Sequence, residues 1–138
     1  GELCEGAIWE GAMFAAHNRL GNLVALVDRN RISLSAPTED YYGGMGVEPL
    51  PDKFRAFGWN VVEIDGHNMA EIVDALDHIP EADTDVPTVI IGNTIKGYGV
   101  SFMENTATWH HGMLTDPKLL EQALQEVKTT RTRGEEVK

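Results

Sequence analysis

Disulfide chemistry plays no part in this 138-residue chain, which holds one cysteine, Cys4, and no CxxC pair to bind a metal or cycle a redox state. A lone Cys4 reads as a small core residue. Long apolar runs are missing too: the longest cluster, VPTVII, falls far short of the roughly 20 residues that a membrane-spanning helix needs. No basic-then-apolar leader opens the chain, so the expectation is a cytoplasmic protein without a membrane partner. Positive charge is also scarce. Eleven Lys and Arg stand against 22 Asp and Glu, a net charge of −11, and residues 39 to 85 alone hold 12 acidic and 2 basic side chains. Nucleic-acid binding calls for a basic stripe that displaces phosphate counterions, and none is present. A phosphorylated ligand would have to be held by backbone N–H groups and a metal ion.

What is there is a chain of ordinary globular composition, 42% hydrophobic and 24% charged, sized for a single core. Residues 5 to 20 read as a buried helix: Trp9, Met13, Ala16 and Leu20 recur at helical spacing, and Ile8, Ala12 and Ala15 widen the apolar face. GNLVALVD (21 to 28) suits a parallel strand covered on both faces. Residues 29 to 50, rich in Asn, Ser, Pro and Gly, form a long irregular loop of the kind that carries function. A short helix at 52 to 57 leads to a strand at 60 to 65. The next helix is capped by Asn68 with Glu71 completing a capping box, and its predicted inner face is Met69, Ile72, Val73, Leu76 and Ile79. TVIIGNTI (88 to 95) is a third strand, and a last helix starts at Asp116 with Leu119, Leu120, Ala123, Leu124 and Val127 on one side. The expectation is an α/β fold with a doubly wound, mostly parallel sheet and helices on both faces. Residues 1–130 make one domain, 131–138 a frayed tail, and a first strand is missing from the front.

In open α/β sheets ligands bind beyond the carboxyl ends of the strands. Three stretches fall there. Gly1 precedes a helix, where free N–H donors and a partial positive charge favour a phosphate, although such a glycine is also a common turn. Asn30 ends a strand with an amide oxygen that suits a hard cation, or equally an Asx-turn. KGYGVSFMENTATWHHG sets Lys96, two glycines and the pair His110 and His111 in one loop, where a histidine can donate to a diphosphate or move a proton. Adjacent histidines point apart on an extended backbone, which argues against zinc. Glu5 and Glu10 sit on an apolar helix where an unpaired carboxylate costs several kcal/mol, so they must meet solvent, a cation or a partner's donors. Glu10 shares its stripe with Met13, Phe14 and His17, a mixture that points to an interface.

Together these stretches resemble the diphosphate-binding half of a thiamine-diphosphate enzyme, whose signature is GDG followed by an asparagine that ends a strand. The interval from Gly1 to Asn30 matches that spacing if Gly1 is the second glycine. GELCEGAIWEGAMFAAHNRLGNLVALVDRN, IDGHN, KGYGVSFMEN and WHHG are similar to the transketolase branch, and most similar to transketolases split into two chains, of which this would be the N-terminal subunit.

The resemblance implies transfer of a two-carbon ketol unit between sugar phosphates, with thiamine diphosphate and Mg²⁺ or Ca²⁺ as cofactors. It also implies a complementary C-terminal, pyrimidine-binding subunit or domain in a homo- or hetero-oligomer. Gly1, through its backbone, and Glu2 would contact the diphosphate. Asn30, through its side chain, and Ile32, through its carbonyl, would bind the metal, and Leu34 would pack near the thiazolium ring. Glu5 and Glu10 match interface glutamates of the family that link two active sites. His111 or His110 matches the loop histidine near diphosphate and substrate, with the glycine after His111 favouring that residue. The metal-binding aspartate of GDG has no counterpart in this sequence, so the resemblance implies an incomplete metal site and a longer parent subunit. Other thiamine-diphosphate enzymes, of the 1-deoxy-D-xylulose-5-phosphate synthase or 2-oxo acid dehydrogenase type, share the layout. A non-catalytic assembly domain that keeps the fold is the alternative from another class.

Overall fold

A computed structural model describes residues 1–33, 36–41, 44–81 and 83–135, with side chains described up to residue 129. A short 3-10 turn at Glu2–Cys4 leads into α1 (Gly6–His17) and β1 (Val24–Arg29). A two-residue antiparallel hairpin, β2 (Ile32–Ser33) with β3 (Ala36–Pro37), interrupts the long loop before α2 (Leu50–Phe57). Then come β4 (Asn60–Asp65), α3 (Met69–Asp77), β5 (Thr88–Asn93), a second 3-10 turn at Ala107–Trp109, and α4 (Pro117–Glu135).

Three parallel strands form the main sheet in the order β1-β5-β4, in a register that sets Arg29, Asn93 and Asp65 side by side at their carboxyl ends. The path from β1 through α2 to β4 passes over β5, and the path through α3 returns to it. Because such crossovers are right-handed, the reversal places α2 and α3 on opposite faces of the sheet, a doubly wound arrangement. β5 is central, and its apolar run Val89, Ile90, Ile91 is at most 3% exposed.

Local chemistry sets the boundaries. Prolines in the first turn open α2, and Gly58 closes it in the left-handed region at φ 93°. Asn68 caps α3 by accepting the N–H groups of Ala70 and Glu71. The expected capping box is altered: the Asn68 N–H goes to the Asp65 carbonyl, and Glu71 instead accepts the Asp65 N–H, three residues further back, at 2.8 Å and the Asn68 side-chain amide at 2.8 Å. The core lies on the α1–α2 face: Ala12, Ala15, Leu50, Phe54, Trp59, Val89 and Ile91, flanked by Trp9, Val27 and Val61. Phe54 packs between Trp9 and Trp59, at ring distances of 5.6 and 5.5 Å. Trp59 Nε1 donates to the Ala12 carbonyl at 2.9 Å, tying the approach to β4 to α1.

Four expectations about coverage are corrected. α1 fully buries only Ala12 and Ala15, while Met13 is 49% and Phe14 63% exposed, because the side that meets α2 and the sheet carries Trp9, Ala12, Ala15 and Ala16. β1 is an edge strand rather than a doubly covered one, and its Leu26 is 69% exposed. On α3 the inner positions are Ile72 and Ala75, with Ile79 just past its end also half-buried, and Met69, Val73 and Leu76 turned outward. On α4 Leu119 and Ala123 turn inward and Leu120, Leu124 and Val127 outward. The α4 rotation is pinned by Glu126, which accepts the Ser101 N–H at 2.6 Å and its hydroxyl at 2.9 Å. α4 runs to Glu135, past Thr129. Among the described residues no helix is long and apolar enough to cross a membrane.

Candidate functional site

The candidate residues gather at the carboxyl end of the sheet, beside the open edge of β1. A cavity of about 540 Å³ runs along β1 from Leu23 to Ile32, and Gly1, Glu2 and the first half of α1 also line it. Four of the predicted cofactor and metal residues, Gly1, Glu2, Asn30 and Ile32, therefore line one space. Leu34 lies outside the described residues. In the opening turn the Cys4 N–H donates to the Gly1 carbonyl at 2.9 Å, so the N–H groups of Glu2 and Leu3 precede the first internal partner. A side chain on Gly1 would lie 3.9 Å from the Ser33 hydroxyl, so the β2–β3 hairpin stands over the same point.

Asn30 serves a turn first. Its Oδ1 accepts the Ile32 N–H at 3.0 Å and its Nδ2 donates to Asp28 at 3.1 Å. Asp28 in turn accepts the Thr94 hydroxyl, which joins the ends of β1 and β5. The second lone pair of Asn30 Oδ1 and the Ile32 carbonyl amount to two oxygens, whereas Mg²⁺ or Ca²⁺ takes about six or more. Among the described residues no cluster of three His, Cys, Asp or Glu could hold a metal ion. The donor set here does not complete a metal site.

From the third loop, His110 and His111 meet edge to face with ring centroids 4.6 Å apart. His110 Nδ1 is buried and has no hydrogen-bond partner among the described residues. Burial, and then the positive charges of Lys96, His111 and the Gly1 nitrogen, push His110 below its ordinary pKa. The loop carrying Lys96 and both histidines leaves the carboxyl end of β5, the same end of the sheet at which Asn30 follows β1. Glu5, directly before α1, and Glu10, on its outer face, are exposed. Among the described residues neither makes a hydrogen bond or ion pair with a side chain.

Sequence reasoning missed Arg29 and His67. Arg29 is 4% exposed and donates to Glu48 at 2.8 Å, Glu39 at 3.0 Å and Thr38 at 3.0 Å, fastening the long loop to the end of β1. The available signal was an arginine closing an apolar strand ahead of a loop with two glutamates. The Leu50 N–H, followed by Arg29, holds the Glu48 carboxyl below its ordinary value. His67 accepts the Ile95 N–H, and IDGHN was its only signal.

Residues 1–131 match the family model described as transketolase, thiamine diphosphate binding domain. The chain belongs to the transketolase family. It is 42% identical over 127 residues to an apulose-4-phosphate transketolase subunit from Phocaeicola vulgatus, covering 92% of this chain and 43% of that protein. It is 46% identical over 116 residues to the 6-deoxy-6-sulfo-D-fructose transketolase subunit SqwG of a Clostridium species, covering 84% of this chain and 41% of that one. The chain thus spans less than half the length of these transketolase subunits. The crystal structure of Campylobacter jejuni transketolase superposes with a TM-score of 0.78 at 26% identity, over 93% of this chain and 19% of that one.

Proposed function

We propose that this chain supplies the diphosphate-binding side of a transketolase, which moves a two-carbon ketol unit between sugars. The carrying observation is the single cavity that the Gly1–Glu2 turn, Asn30 and Ile32 all line. When bound there, thiamine diphosphate would supply the electron sink that the two-carbon fragment requires. The Glu2 and Leu3 N–H groups offer donors to a phosphate at a point where Gly1 adds no side chain. Asn30 and Ile32 would give a divalent ion two of its oxygens, with the rest coming from outside the residues described.

His110 and His111 would face the reacting end. Because its surroundings favour the neutral ring, His110 can present one N–H and one free nitrogen, which suits hydrogen bonding to a substrate oxygen or passing it a proton. The relatives' named substrates carry a phosphate or a sulfonate, and we extend that class, ketoses with an anionic terminus, to this chain. The outer face of α1, with Glu5 and Glu10 beside Met13 and Phe14, would meet the complementary pyrimidine-binding subunit or a second copy.

The test is reconstitution. The chain, its complementary subunit, thiamine diphosphate and Mg²⁺ are mixed and ketol transfer from xylulose 5-phosphate is followed. Turnover by the mixture and not by the chain alone is expected. A complex that binds the cofactor yet transfers no ketol unit from any anionic ketose would sink the assignment, and tight Mg²⁺–thiamine diphosphate binding by the chain alone would contradict the incomplete metal site.

A further inference from the structure

The turn after β4 sets a histidine against the loop that carries Lys96. His67 Nε2 accepts the Ile95 N–H at 2.7 Å, and its ring lies on Tyr98 with centroids 3.8 Å and planes 16° apart. The His67 side is itself fixed, since the Asp65 carboxylate accepts the His67 N–H at 2.9 Å. These two contacts bracket Lys96 in sequence. The Lys96 carbonyl accepts the Asn105 N–H at 2.9 Å. Next to it Gly97 has φ +75°, and a Cβ there would come within 2.8 Å of the Met103 backbone, so the chain beyond the lysine cannot shift freely. Lys96 follows the last residue of β5, Asn93, by three positions, at the carboxyl end of the sheet where Asn30 follows β1.

We propose that His67 is a positioning residue: by accepting the Ile95 N–H and stacking on Tyr98, it holds the turn that presents Lys96 to the phosphate end of the site. The ordering of the turn stands on these contacts alone, and the ligand of Lys96 rests on the diphosphate site proposed above. The two contacts are chemically separable. An acceptor at Nε2 requires the neutral ring to carry its proton on Nδ1. A phenylalanine keeps a ring for the stack and offers no acceptor, whereas a glutamine oxygen reaches about as far as Nε2 and offers no ring.

Three measurements on the full chain decide it. In the parent, the imidazole ¹⁵N shifts should show Nε2 as the unprotonated nitrogen near neutral pH; a proton on Nε2 overturns the proposal without any variant. Hydrogen exchange at the Ile95 amide should speed up about tenfold in His67→Phe and return toward the parent rate in His67→Gln, with the β5 amides unchanged as a check on folding. An Ile95 amide as protected in His67→Phe as in the parent overturns it, as does a glutamine that rescues nothing. Inorganic pyrophosphate, used as the probe, should bind several-fold more weakly to His67→Phe and to Lys96→Ala. Equal pyrophosphate affinity in His67→Phe and the parent also overturns it. A parent chain that binds no pyrophosphate instead counts against the diphosphate site, while the tautomer and exchange results, which need no ligand, still decide the role of His67.

Discussion

Burying a guanidinium costs several kcal/mol unless its N–H groups are used, and Arg29 uses all three of its nitrogens, on Glu48, Thr38 and Glu39. Its two acidic partners are only half-buried, 42% and 43% exposed for Glu39 and Glu48, so they can return to water if the arginine goes. Arg29→Met should therefore cost about 1–3 kcal/mol in urea unfolding, below the penalty for stranding a buried charge. A parent-like midpoint would show that the loop is held by other contacts. The same cluster sets an acid limit. Glu48 has its folded pKa below the ordinary 4.5, so its contribution is present above the unfolded value and lost as pH falls through the folded one. Below about pH 4.5 the parent should lose stability more steeply than Glu48→Gln, as urea midpoints measured across that range will show. At this scale the sequence was readable where a residue type announces a local contact, as Asn30 does with its turn to Ile32 and Asn68 with its helix cap. It was opaque for Arg29 and His67, whose partners lie 19 and 28 residues away along the chain.

Elements separate by coverage rather than by pattern. β4 lies at residues 60–65 and Asn68 caps the helix after it, both as predicted, because hydrophobic period and capping chemistry are local properties. Which face each element buries is decided by sheet order, a non-local property. With β1 at the edge, Leu26 stays exposed although its strand reads as fully apolar. The inner side of α3 was misjudged for a related reason: several apolar stripes fit its sequence, and packing chose the one centred on the small Ala75. The contrast can be measured. Phe54, 3% exposed between two tryptophans, should cost about 3–5 kcal/mol as Phe54→Ala, whereas Leu26→Ala should stay within about 0.5 kcal/mol in the chain alone. A large loss at Leu26 in denaturant titrations would mean that the edge of β1 is covered in solution.

For the molecule as a whole, the unexplained surface is the outer side of α1. Met13 and Phe14 expose apolar area beside Glu10, the face proposed above to meet the complementary subunit. If that face is an interface, folding and association respond differently to one change. Glu10 is exposed, and among the described residues its carboxylate has no side-chain partner, so Glu10→Ala removes no contact within the chain. Alanine favours helix slightly more, so the unfolding free energy should stay level or rise by a few tenths of a kcal/mol. In an assembly the same carboxylate would be desolvated against a partner's donors, and removing it leaves those donors unpaired, a loss of about 1–3 kcal/mol or roughly tenfold in Kd. Sedimentation with the complementary subunit reads the association and urea titration of the chain reads the folding. Equal dissociation constants for Glu10→Ala and the parent would remove Glu10 from the interface, and Phe14→Ala, 63% exposed in the free chain, would then show whether the apolar part of the face is engaged at all.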